Sequence, residues 1–144
     1  MTAYFDSSVL LAILFNEERQ DEAYSYWLNA STKVSSILLK IETIISLRRL
    51  YELNKQRLDS SWLGKKTKEL DEYLDEVNYR IIDEEIERSI YLKKELSKCR
   101  SLDAIHIATA LMYRENTNEN IQLYNFDNAM HELAVHYKFE TNKM

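Results

Sequence analysis

The chain has 144 residues, 45% of them apolar and 30% charged, with a formal net charge of −5. That length suits one domain around one core, and the balance of apolar and charged residues excludes a disordered chain. The acidic balance excludes a general nucleic-acid coat, which would be basic, but leaves room for a pocket that concentrates carboxylates.

Proline is absent and Gly64 is the single glycine, so long helices with short, capped connections are expected. Cys99 is the single cysteine, which rules out an internal disulfide and a cysteine-based zinc site. It reads as a small apolar residue in a reducing compartment. The apolar run Val9 to Phe15 has no basic residue before it and no small-residue cleavage site after it. No stretch reaches the roughly 18 apolar residues of a membrane helix, so a cytoplasmic protein is expected.

In chain order, Ala3 to Phe5 reads as a short strand, followed by helices over Ser7 to Phe15 and Glu18 to Ala30. Lys33 to Ser35 is a second strand. Ser36 to Tyr51 is a helix, because Leu38, Ile41 and Ile45 recur at helical spacing. A polar helix spans Asp59 to Val77, and a third strand spans Tyr79 to Ile82. Asp83 is expected to cap a helix running to about Leu96, and Ser101 one running to about Arg114. Ile121 to Tyr124 is a fourth strand, Asn128 to Tyr137 a helix, and Lys138 to Glu140 a last edge strand.

Strand and helix in alternation imply a mostly parallel sheet of four to five strands between helical layers, in one domain over residues 1–144. Ligands of such open sheets bind beyond the carboxyl ends of the strands. Four acidic residues fall there. Asp6 directly follows the first strand, Asp103 lies in the first turn of its helix, and Asp127 follows the fourth strand. Each has a bland alternative as a helix cap or first-turn charge. Glu42 is the charge within Ile41-Glu42-Thr43-Ile44-Ile45-Ser46-Leu47, on a helix face shared with Leu38 and Ile45. A carboxylate there needs a metal or a cation such as Arg48 or Arg49.

Clustered carboxylates repel one another unless a counter-ion is bound, and an all-oxygen site suits Mg²⁺ or Mn²⁺. His106, one turn after Asp103, is expected to be a packed histidine. Trp27 and Trp62 read as packing or contact residues. The basic groups at Arg48 to Arg57, at Lys65, Lys66 and Lys68, and at Lys93 to Arg100 read as solvated helix faces.

Tyr4-Phe5-Asp6-Ser7-Ser8-Val9-Leu10-Leu11-Ala12 resembles the opening motif of PIN domains, particularly the VapC-type toxins of bacterial toxin–antitoxin pairs. Glu42 in its apolar helix, the segment Leu102 to Ala110 around Asp103, and Leu123-Tyr124-Asn125-Phe126-Asp127 match the later motifs in order. The resemblance implies a three-layer α/β/α PIN-like fold. It implies Asp6, Glu42 and Asp103 as a Mg²⁺- or Mn²⁺-binding core, with Asp127 as the fourth, more variable acid. Ser7 or Ser8 would orient Asp6. Asn125 stands where the family commonly has Thr or Ser.

The resemblance further implies endonucleolytic cleavage of an RNA such as transfer or ribosomal RNA, a homodimer, and a cognate antitoxin. Helices 18–30 and 36–57 are the expected dimer surface. Two alternatives remain. One is a catalytically silent RNA- or protein-binding module. The other is a Mg²⁺-dependent phosphatase, although Ser8 stands where a haloacid-type enzyme has a second aspartate.

Overall fold

The computed structural model describes residues 1–144. Five parallel strands form one sheet in the order β3-β2-β1-β4-β5, flanked by seven helices. The strands are β1 (Thr2–Phe5), β2 (Thr32–Ser36), β3 (Val77–Arg80), β4 (Ile121–Tyr124) and β5 (Glu140–Thr141). The helices are α1 (Ser7–Leu14), α2 (Gln20–Asn29), α3 (Leu38–Leu53), α4 (Ser60–Leu74), α5 (Glu84–Leu92), α6 (Ser101–Thr117) and α7 (Asn128–His136). A 3-10 turn, Lys94–Lys98, links α5 to α6.

Strand alternation divides the core into two. Ala3 and Phe5 of β1 face a core built with Val9 and Leu10 of α1, Trp27 of α2, Leu39 and Leu47 of α3, and Leu70 of α4. Tyr4, between them, faces the opposite core, with Ile86 of α5, Ile107, Ala108 and Leu111 of α6, and Leu133 of α7. Helices α1 to α4 therefore cover one face and α5 to α7 the other. Alanines 104, 108 and 110 let α6 lie close on the sheet.

The strand order reverses direction at β1, with β2 and β3 added on one side and β4 and β5 on the other. Such a reversal opens a crevice at the carboxyl ends of the two central strands. Residues directly after β1 and β4 flank it. No helix is long and apolar enough to cross a membrane.

Several expected boundaries move. The third strand is Val77–Arg80 rather than Tyr79 to Ile82, because the buried Val77 pairs with Lys33. Ile81 and Ile82 lie beyond the sheet, 66% and 44% exposed. Helix α4 accordingly stops at Leu74, short of Val77. Helix α5 ends at Leu92, not Leu96, since the chain turns there to bury Leu96. Asp83 caps α5 by accepting from the Ile86 N–H at 3.2 Å, whereas Arg100, not Ser101, is the N-cap residue of α6. The last strand is Glu140–Thr141 rather than Lys138 to Glu140, because Lys138 takes a positive φ of 64°.

Candidate functional site

Asp6 occupies the N-cap position of α1 but makes no side-chain cap bond. It is 4% exposed, and the side-chain donor that meets it is Ser8, whose hydroxyl donates to Oδ1 at 2.6 Å. Ser8 Oγ in turn accepts from the Phe126 N–H at 3.0 Å. One hydroxyl thus joins the first carboxylate to the segment after β4. Ser8, not Ser7, stands in this place.

That segment is held from the C-terminal end. Asn142, 5% exposed, accepts from the Asn125 N–H at 2.9 Å and donates to the Asn125 carbonyl at 2.7 Å. The Asn125 side chain then accepts from the Asp127 N–H at 3.2 Å. Asn125 is fully buried, and its Nδ2 has no partner. Asp127 does cap α7, accepting from the Met130 N–H at 2.8 Å through Oδ1. Its second oxygen is not used in that cap. Sequence reasoning did not single out Asn142. A polar side chain that brackets a backbone peptide carries no local pattern.

Glu42 lies one turn into α3, half-buried. Its partner is neither Arg48 nor Arg49 but His106, whose Nε2 meets Glu42 Oε1 at 2.6 Å. The other ring nitrogen, Nδ1, meets the Tyr4 hydroxyl at 2.6 Å. That hydroxyl also accepts from the Ser36 N–H at 3.1 Å. His106 is packed, at 1% exposure, and is also the counter-group of Glu42. The face around Glu42 is less dry than the sequence suggested: Leu38 is buried, but Ile41 and Ile45 are each 51% exposed.

Asp103, half-buried in the first turn of α6, completes the set. The four acids interact electrostatically. Burial first, and then the Glu42 charge, push the Asp6 carboxyl up to about 6, while His106 and the Ser8 hydrogen bond work against the rise. Burial, the Asp127 charge and the Glu42 charge raise Asp103, again opposed by His106. Burial chiefly, followed by Asp103 and Asp127, raises the Cys99 thiol to about 11, so it stays protonated. His106 therefore stands between the two halves of an acidic cluster.

A hard divalent cation fits the chemistry of these donors. They are carboxylates without a competing thiolate, and their charges penalise one another where a cation would relieve them. No three His, Cys, Asp or Glu side chains close around a single point, however. Glu42 Oε1 is engaged by His106, Asp127 Oδ1 by its own helix and Asp6 Oδ1 by Ser8. Each of the three keeps a second oxygen outside these bonds.

Beside Asp103 runs an open groove of about 380 Å³. Ser101, Ala104 and Ile105 of α6 form one wall, and Lys93 and Lys94 line it opposite.

The profile of the family described as PIN domain matches residues 3–135, which include all four acids, Ser8, Asn125 and His106. No curated protein matches the chain.

Proposed function

This chain belongs to the PIN domain family, and on that premise we propose that it is a metal-dependent endoribonuclease acting as the toxin of a toxin–antitoxin pair. PIN domains are generally nucleases, which supports hydrolysis of a phosphodiester. One observation carries the reading furthest. Asp6 is a buried, uncapped carboxylate at the sheet's topological switch, with a raised pKa and a hydroxyl as its side-chain partner. A residue kept for fold stability alone would have been capped or paired.

Asp6, Glu42, Asp103 and Asp127 would hold Mg²⁺ or Mn²⁺, which when bound supplies Lewis acidity and lowers the pKa of water. The chain's own residues prepare that site. Ser8 orients Asp6 and ties it to the Asp127 segment. Asn125 and Asn142 fix the backbone that presents Asp127. Lys93 and Lys94, in the groove beside Asp103, offer positive charge to a phosphate backbone. A structured RNA such as transfer or ribosomal RNA is the proposed substrate, in the cytoplasm.

The motif order around Asp6 and Asp103 supports the toxin assignment and with it a cognate antitoxin. Tyr24 and Leu28 of α2 and Ile41, Ile45 and Leu53 of α3 are large, apolar and exposed, which supports a homodimer through these helices.

The test is cleavage of total RNA by purified protein with Mg²⁺ or Mn²⁺, compared with EDTA and with Asp6→Asn and Asp103→Ala. Metal-dependent cleavage lost in both variants is expected. Intact, metal-bound protein that cuts no RNA would instead make the chain a binding module.

A further inference from the structure

We propose that Tyr4 and His106 are positioning residues that aim the Glu42 carboxylate, fixing it between the strand that leads into Asp6 and the helix that carries Asp103. The role assigned to Glu42 rests on the functional reading above. Three hydrogen bonds run in series: Ser36 N–H to Tyr4 Oη at 3.1 Å, Tyr4 to His106 Nδ1 at 2.6 Å, and His106 Nε2 to Glu42 Oε1 at 2.6 Å. The direction of the hydrogens follows from chemistry. An ionised carboxylate has none to give, so Nε2 donates to Glu42. In the neutral imidazole that leaves Nδ1 as the acceptor, so the Tyr4 hydroxyl, which itself accepts from Ser36, donates its hydrogen there. The imidazole is thereby set in one tautomer by the bond at its far nitrogen.

The series is also rigid. Tyr4 and His106 are 0% and 1% exposed, and their rings meet edge-on at 5.7 Å between centroids. Glu42 belongs to α3, Tyr4 to β1 and His106 to α6. One chain of bonds therefore ties together the elements bearing three of the four acids. An arginine on α3 would neutralise Glu42, but it would fix the carboxylate only to its own helix. The imidazole engages Oε1 and leaves Oε2 for another partner. Groups that orient metal-binding carboxylates in this way typically govern affinity for the ion.

The test begins with the metal-free native protein at pH 7.5. Nitrogen-15 spectra of the histidine rings should show His106 with hydrogen on Nε2 and a bare Nδ1. Mn²⁺ affinity is then measured from the electron spin resonance of the free ion, with thermal unfolding as a check that each variant is folded. His106→Leu fills the same space without a donor and should weaken Mn²⁺ by about 10- to 100-fold. Tyr4→Phe should weaken it in the same direction and release the tautomer. His106→Gln, which can donate to Glu42 and accept from Tyr4, should restore most of the affinity.

A hydrogen on Nδ1 in the native protein overturns the proposal, and so does a folded His106→Leu that binds Mn²⁺ as the native protein does. If Glu42→Gln still loses Mn²⁺ in the second case, the functional reading stands and only the positioning role falls. If Glu42→Gln also binds Mn²⁺ normally, both fall.

Discussion

Replacing Asp6 by Asn removes one charge and leaves the shape and the Ser8 contact almost unchanged, since an amide oxygen can accept the same hydroxyl. The rise of the Asp6 carboxyl from its ordinary 3.8 to about 6 corresponds to about 3 kcal/mol of native-state stability at neutral pH. The sign follows from linkage. The folded protein holds this proton more tightly than the unfolded chain, so stability is lost as pH rises from about 4 to about 6, and the full penalty applies above that. The asparagine variant has no proton to lose and carries no such penalty. The new amide donors also need partners, but that cost is independent of pH. The difference in unfolding temperature between Asp6→Asn and the native protein should therefore grow in the variant's favour from pH 4.5 to pH 7.5. About 1 kcal/mol of the penalty is already present at pH 4.5, so about 2 kcal/mol develops across that range, which at about 2–4 °C per kcal/mol is a change of about 4–8 °C. The assay is calorimetry in EDTA across that range. Repeating it at pH 7.5 with Mn²⁺ should stabilise the native protein and not the variant, because the ion binds the folded carboxylates. A difference that stays flat with pH, or one that moves in the native protein's favour as pH rises in EDTA, refutes the reasoning.

Ser8→Ala removes the donor to Asp6 and the acceptor of the Phe126 N–H, and should cost about 1–3 kcal/mol in urea unfolding while raising the Asp6 pKa further. Asp127→Asn keeps a side-chain oxygen for the Met130 N–H and should leave stability within about 0.5 kcal/mol, yet lower metal-dependent cleavage; Asp127→Ala should lose both, with about 1 kcal/mol of stability from the cap. Asn142→Ala removes both bonds to the Asn125 backbone and should cost about 2 kcal/mol by urea unfolding, with cleavage falling further than that loss of folded protein explains. Lys93→Glu with Lys94→Glu should weaken RNA binding across sequences and flatten its dependence on salt, read by filter binding at several ionic strengths.

The layers of the fold were legible because the patterns are local. Ala3-Tyr4-Phe5 and Ile121 to Tyr124 are short apolar runs closed by acids or turn residues, as buried parallel strands should be. The third strand was misplaced because Ile81 and Ile82 look more strand-like than Val77 and Asn78. Apolar character does not say which residues find a partner strand, and these two isoleucines remain partly in solvent. The stop of α5 at Leu92, four residues short of the expected Leu96, has a similar reason: burying Leu96 outweighs helical continuity through Lys93. The positions of the acids could be read, since Asp6 and Asp127 follow strands, Asp103 opens a helix and Glu42 interrupts an apolar run. Their support could not. Tyr4 and His106 are 102 residues apart, Glu42 and His106 are 64 apart, and Asn125 and Asn142 are 17 apart.

A lone carboxylate on an apolar helix face pointed to a metal or to a cation such as Arg48 or Arg49. The fold supplies a donor from α6, so the burial of Glu42 is explained without any ion. Asp6 has no such relief. It stands beside His106, yet the imidazole's two nitrogens are taken by Tyr4 and Glu42, and only the Ser8 hydroxyl reaches it from a side chain. Its carboxyl consequently keeps its proton to about pH 6. A fold that held this residue only for stability would gain by capping α1 with it, and α5 and α7 show that the same chain caps helices with aspartate where that is the task. The contrast between an aspartate that caps and one that is buried uncapped separates Asp83 from Asp6. Asp127 stands between them, with one oxygen capping its helix and its charge raising the pKa of Asp103.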